Sequence, residues 1–133
     1  MRLIFYISLT IAMLLYISCT DAPITKPNIV VPFDSSLKMT FVELGAENCI
    51  PCLKMRPVMD SIQKKYGSQI YVKFINARKN PAEAIPFKIR LIPTQIFLDT
   101  NSIEILRHEG FFPEDSIHIF LQSYGLKILE ESE

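Results

Sequence analysis

The chain has 133 residues, 49% of them hydrophobic, with 14 basic against 14 acidic side chains. That is enough for one buried core and too little for two ordinary domains, and a pI near 6.7 leaves no basic footprint for nucleic acid. Nine Phe and five Tyr exclude a disordered chain, and three Cys exclude a fully paired disulfide scaffold unless one has another task.

Arg2 precedes Leu3 to Ile17, a run of fifteen uncharged residues. A membrane-spanning helix needs about 20 apolar residues, so this length suits the apolar region of a signal peptide. The run ends at Ile17-Ser18-Cys19-Thr20, which resembles the lipobox of bacterial lipoproteins, although Tyr16 stands where Leu is usual. The resemblance implies removal of residues 1–18 and lipidation of Cys19, which leaves Cys49 and Cys52 for chemistry. An uncleaved anchor and a plain secretory signal are the alternatives, and all three export the chain. The expected location is the bacterial cell envelope, extracytoplasmic or periplasmic, with a lipid anchor in a membrane. Residues 19–36 carry Pro23, Pro27 and Pro32 and read as an extended tether.

The remaining pattern alternates strands and helices within one domain over residues 37–127, followed by a short tail over 128–133. Leu37 to Leu44 reads as a strand ending at Gly45. Pro51 to Tyr66 has helical spacing, with Leu53, Met55, Val58, Met59 and Ile62 as its apolar stripe and Gly67 as its stop. Ile70 to Ile75 is a second strand, and Pro81 opens a short helix reaching Phe87. Thr94 to Leu98 and Ile103 to Arg107 flank the polar turn Asp99-Thr100-Asn101-Ser102 and pair as a hairpin. Pro113 to Tyr124 closes the chain as a helix with Ile117, Phe120 and Leu121 on one face. The order β-α-β-α-β-β-α predicts an α/β fold with a mixed sheet, a parallel pair from the first crossover and antiparallel edges from the hairpin.

Cys49-Ile50-Pro51-Cys52 lies between the first strand and the first helix. There the first sulfur meets free backbone N–H groups at the positive end of the helix dipole, which favours the attacking thiolate. The second Cys lies one turn inside, where it can resolve a mixed disulfide. A C-x-x-C is also half of a zinc site, but His108 and His118 lack ligand spacing and no second C-x-x-C exists. Both histidines read most simply as surface residues.

With Ile92-Pro93-Thr94, the helical continuation through Lys54 and Met55 to Pro57, and Gly110 before the last helix, the chain from about Thr40 to Leu121 resembles the thioredoxin family. The resemblance implies the thioredoxin fold, Cys49 as nucleophile, Cys52 as resolving residue, and a cis bond at Pro93 facing the Cys pair. Forty residues between Cys52 and Pro93 leave no room for the extra β-α insertion of cytochrome-maturation relatives. Asn48 replaces the aromatic usual before the first Cys, and Ile50 replaces the usual Gly. Glu43, six residues before Cys49, matches a buried acid that moves protons at the resolving sulfur; burial would raise its pKa. The other reading of Glu43 is a solvent-facing strand residue. Lys73 matches a lysine near that acid, or else is a solvated edge charge. Pro57 interrupts a stripe that continues beyond it, which implies a kink rather than a stop.

These residues predict an exported thiol–disulfide oxidoreductase working as a reductase of protein disulfides. Cys49, Cys52 and Glu43 are its catalytic residues, Ile92, Pro93 and Thr94 dock the substrate chain, and Pro51, Pro57 and Lys73 support them. No organic cofactor or metal is expected, because the dithiol carries two electrons itself. The expected partners are protein disulfides, a membrane thiol electron donor and a membrane, with no nucleic acid. The alternatives are an oxidase or isomerase of the same fold, a copper(I) module using Met55 and Met59 with the thiolates, and a non-catalytic interaction domain.

Overall fold

The computed structural model describes residues 36–129. The expectations for the leader, Cys19, the tether up to residue 35 and the tail from residue 130 lie outside those residues. Strand β1 runs Met39–Gly45, helix α1 Ile50–Tyr66, β2 Ile70–Asn76, and α2 Pro81–Ala84 continuing as a 3-10 turn over Ile85–Phe87. Then come β3 Thr94–Leu98, β4 Glu104–Glu109 and α3 Glu114–Ser123. The element order is the predicted one.

The sheet order is β2-β1-β3-β4, parallel between β1 and β2 and antiparallel elsewhere. All seven residues of β1 are buried, as a central strand covered on both faces requires. Its alternate side chains divide between two cores. Met39 and Phe41 join Phe97 with Met55, Val58, Met59, Ile62 and Tyr66 of α1 and Ile117 and Leu121 of α3. Val42 and Leu44 join Ile75, Ile96 and Leu98 with Ala84 and Phe87 beneath α2. Phe41 and Phe97 stack across the first core with ring centroids 4.5 Å apart. By the two-residue period of a strand, Glu43 and Gly45 face the α1 side.

Helix α1 continues through Pro57, as its apolar pattern predicts. Pro57 and Leu53, whose carbonyl would pair with residue 57, both lie on the exposed side. The stripe needs one correction. Leu53 is 42% exposed, and Cys52 takes its place on the buried face with Met55, Val58, Met59, Ile62 and Tyr66. Gly67 follows in a positive-φ conformation (φ 56°) that releases the chain towards β2.

Candidate active site

The site is built where β1 runs out. Gly45 ends the strand, and Cys49 caps α1 from an extended conformation. Its Sγ accepts from the Cys52 backbone N–H at 3.3 Å, and its carbonyl accepts from Leu53 N–H at 2.9 Å. Pro51 occupies the first turn, where a missing N–H costs nothing. No acidic residue lies in that turn to oppose a thiolate. Cys49 and Cys52 are joined as a disulfide with Cα atoms 5.2 Å apart. The sulfurs are unequal in access: Cys49 is half-buried and Cys52 only 2% exposed.

The Ile92–Pro93 peptide bond is cis, as the resemblance implies. Leu44 pairs with Thr94 in the β1/β3 ladder, so the cis bond lies at the end of the sheet where β1 delivers the Cys loop. Pro93 and Thr94 are buried and Ile92 is half-buried. Thr94 Oγ1 donates to Leu91 C=O at 2.7 Å, and Pro93 C=O accepts from Gly110 N–H at 2.8 Å, which ties the loop at both ends.

Glu43 is fully buried, not solvent-facing. Burial pushes its carboxyl up to about 8, against a smaller lowering by the Gln95 hydrogen bond. Gln95 Nε2 donates to Glu43 Oε2 at 2.9 Å. The carboxyl shares the face of Gly45, whose position abuts Cys52. Lys73 does not meet this acid. It stands opposite Val42 in the parallel ladder, and its ammonium lies 3.3 Å from Glu83 on α2.

Gln95 went unread in the sequence, because a polar residue in a hairpin strand ordinarily faces solvent. The available signal was its two-residue spacing from Phe97, which puts both on one face of a strand packed against both layers. His118 is also corrected. Its side chain is 13% exposed, with Nδ1 3.0 Å from Tyr66 Oη and Nε2 3.1 Å from Glu114 Oε1. Met55 is fully buried and accepts from Phe112 N–H through Sδ at 3.4 Å, and Met59 packs in the same core. Among the described residues, no three His, Cys, Asp or Glu gather as a metal set.

The thioredoxin family profile matches residues 26–123. A thioredoxin of Buchnera aphidicola from Baizongia pistaciae is 34% identical over 89 residues, covering 67% of this chain and 81% of that one. The chain belongs to the thioredoxin family. A Synechocystis thioredoxin is 32% identical over 92 residues, covering 68% of this chain and 83% of its own. The solved thioredoxin-2 described as a component of malaria parasite protein secretion machinery superposes with a TM-score of 0.64 at 25% identity, covering 72% of this chain and 89% of that one. Cys49 and Cys52 are thus the redox-active pair of a thiol–disulfide oxidoreductase.

Proposed function

We propose that the protein is an extracytoplasmic, lipid-anchored reductase of protein disulfides. The carrying observation is the asymmetry of the pair: Cys49 is accessible at the helix N-terminus, whereas Cys52 is covered. In the reduced protein the Cys49 thiolate attacks one sulfur of a substrate disulfide. That S–S bond breaks, and the other substrate sulfur leaves as a thiolate and takes up a proton. Cys52 then gives its proton to the Glu43 carboxylate and attacks Cys49 Sγ, which breaks the mixed disulfide and releases the second substrate sulfur as a thiolate that takes up a proton. Two electrons pass from the protein dithiol to the substrate, with no cofactor between them. A carboxyl whose pKa is raised to about 8 keeps enough basicity for this exchange near neutrality. The half-buried Ile92 before the cis bond offers its backbone to the substrate chain, and the exposed side chains of Ile50 and Leu91 supply apolar contact surface.

Direction follows from the residues between the sulfurs. A cation there would stabilise the thiolate and make the pair a strong oxidant, and Ile50-Pro51 supplies none. The apolar run ending at Cys19 supports export and anchoring. In an oxidising compartment the dithiol must then be recharged, by a membrane electron carrier with thiols of its own. Equilibration with glutathione buffers, read by thiol trapping, tests the direction. The expected potential lies nearer about −270 mV than about −120 mV, and a value at the oxidising end would assign an oxidase. Anchoring is tested by fractionation: wild type should partition with membranes, Cys19→Ala should not acquire lipid, and equal recovery of both as unlipidated soluble protein would refute it.

A further inference from the structure

Glu43 and Gln95 face each other directly in the β1/β3 ladder, and both are fully buried. One hydrogen bond joins them, from Gln95 Nε2 to Glu43 Oε2. Two oxygens remain: among the described residues, Glu43 Oε1 and Gln95 Oε1 are buried side-chain polar atoms without a partner. Both are acceptors when the carboxyl is ionised, so neither can satisfy the other. A proton on Glu43 Oε1 changes that, because a carboxylic acid opposite a primary amide offers one O–H and one N–H to two carbonyl oxygens. Directly opposed residues on neighbouring strands have Cβ atoms only about 4.5–5.5 Å apart, which holds the two side chains end to end.

We propose that Gln95 is a positioning residue for Glu43, fixing the buried carboxyl as an acid–amide pair and setting the pH at which it takes a proton from Cys52. The proposal rests on the oxidoreductase reading for its consequence, but the pair itself is a property of the fold. In the ionised form the Gln95 N–H is the hydrogen bond that stabilises the carboxylate. In the protonated form the Gln95 carbonyl is the acceptor for the new O–H.

The surroundings leave Gln95 as the carboxyl's polar neighbour on the sheet. From β2, Phe74 lies opposite Glu43, and Lys73 is paired with Glu83 beside the other layer. From β4, His108 stands opposite Gln95, stacked on Phe112 at 4.1 Å with Nε2 3.2 Å from Phe111 C=O. From α1, Cys52 approaches at Gly45 and Met55 adds only a thioether, while Lys54 and Arg56 are exposed. From α3, Glu114 and His118 are engaged with Lys65 and Tyr66. Across the sheet the row is therefore Phe74, Glu43, Gln95, His108: an apolar edge, an acid, an amide, and a half-buried imidazole.

The test is titration of the Glu43 carboxyl in the full oxidised chain by 13C NMR with side-chain-labelled glutamate, the signal being assigned by its loss in Glu43→Gln. Gln95→Leu and the unbranched Gln95→Met each leave the buried carboxylate without a donor and the buried acid without an acceptor, and the unpaired charge costs more than the unpaired acid. The midpoint should rise in either variant by about one pH unit, a tenfold change in proton affinity. The pH profile of disulfide reduction should move with it. Adding Gln95→Leu to Glu43→Gln should leave that profile unchanged. An unmoved or lowered midpoint, or a profile shift that persists without Glu43, would overturn the proposal. If the wild-type chain reduced no disulfide, the functional reading would fail while the carboxyl titration still decided the role of Gln95.

Discussion

Gly45 closes β1 directly against Cys52. A Cβ added at Gly45 would lie 3.2 Å from Cys52 Cβ and 3.3 Å from its Sγ, with the Phe74 ring edge at 3.0 Å. The resolving sulfur is thus seated against the end of the central strand, on the face that carries Glu43. Glu43 and Gly45 share one face of the strand, and α1 lays Cys52 against that face at Gly45.

That contact gives the first prediction. In Gly45→Ala the exposed edge of Phe74 can swing away, but Cys52 is held by α1 and by its bond to Cys49. The oxidised protein should lose about 1–3 kcal/mol, the usual range for a methyl forced into a packed site. Urea unfolding of the oxidised variant measures this. Stability equal to wild type would mean that the strand end yields freely.

The second prediction concerns the seam between α1 and α3. Glu114 Oε1 accepts from Lys65 Nζ at 2.8 Å and Ser61 Oγ at 2.6 Å, and lies 3.1 Å from His118 Nε2. The Lys65 hydrogen bond first, then that of Ser61, hold the carboxyl at about 2 instead of 4.5. A lowered carboxyl pKa gives stability that is present above 4.5 and lost as the pH falls towards 2. Glu114→Gln should therefore flatten the acid side of the stability profile between those values. At pH 6 it should cost about 1 kcal/mol or less, because water screens this partly exposed cluster. Thermal melts at pH 3 and pH 6 check both. A variant as acid-sensitive as wild type would place the acid response elsewhere.

Glu43 works with the opposite sign. Its folded pKa is raised from 4.5 to about 8, so the folded state holds a proton that the unfolded chain releases. Its contribution to stability is complete below 4.5 and is lost as the pH rises through about 8. Glu43→Gln cannot ionise. It should gain on wild type steadily across that window, and the difference should level off above it. Denaturation midpoints at pH 5, 7 and 9 measure the gap; parallel profiles would show that the carboxyl titrates in the fold as it does in the unfolded chain, without the raised pKa.

The element boundaries were legible to within about two residues, because hydrophobic period and Gly or Pro punctuation are local signals. Cys49, Cys52 and Pro93 were legible through motif spacing. Side-chain partners across elements were harder to read. Leu53 fits an apolar stripe on paper, yet the buried face turns through Cys52, one position away. Lys73 can be referred to Glu43 or to Glu83 only once the parallel register places it opposite Val42. His118 follows Glu114 by one helical turn, but its second partner, Tyr66, lies 52 residues back in the chain. Gln95 needed both the β3 register and the knowledge that α1 covers its face.

The last prediction separates the two sulfurs. Cys49 is half-buried at the cap of α1, and Cys52 is 2% exposed behind it. Cys52→Ala keeps the nucleophile and removes the group that releases the substrate, so mixed disulfides with substrate proteins should accumulate. Cys49→Ala leaves a covered sulfur without the first place at the helix N-terminus, and it should trap at least tenfold less, about the effect of a one-unit loss in thiolate-favouring pKa. Glu43→Gln, with both cysteines present, should slow turnover near neutral pH while leaving the first attack intact. Non-reducing gels of each variant after incubation with a disulfide-bonded protein give the trapping order. Stopped-flow turnover gives the effect of Glu43. Trapping by Cys49→Ala but not by Cys52→Ala would reverse the roles of the sulfurs. Unchanged turnover in Glu43→Gln would remove the carboxyl from the proton path.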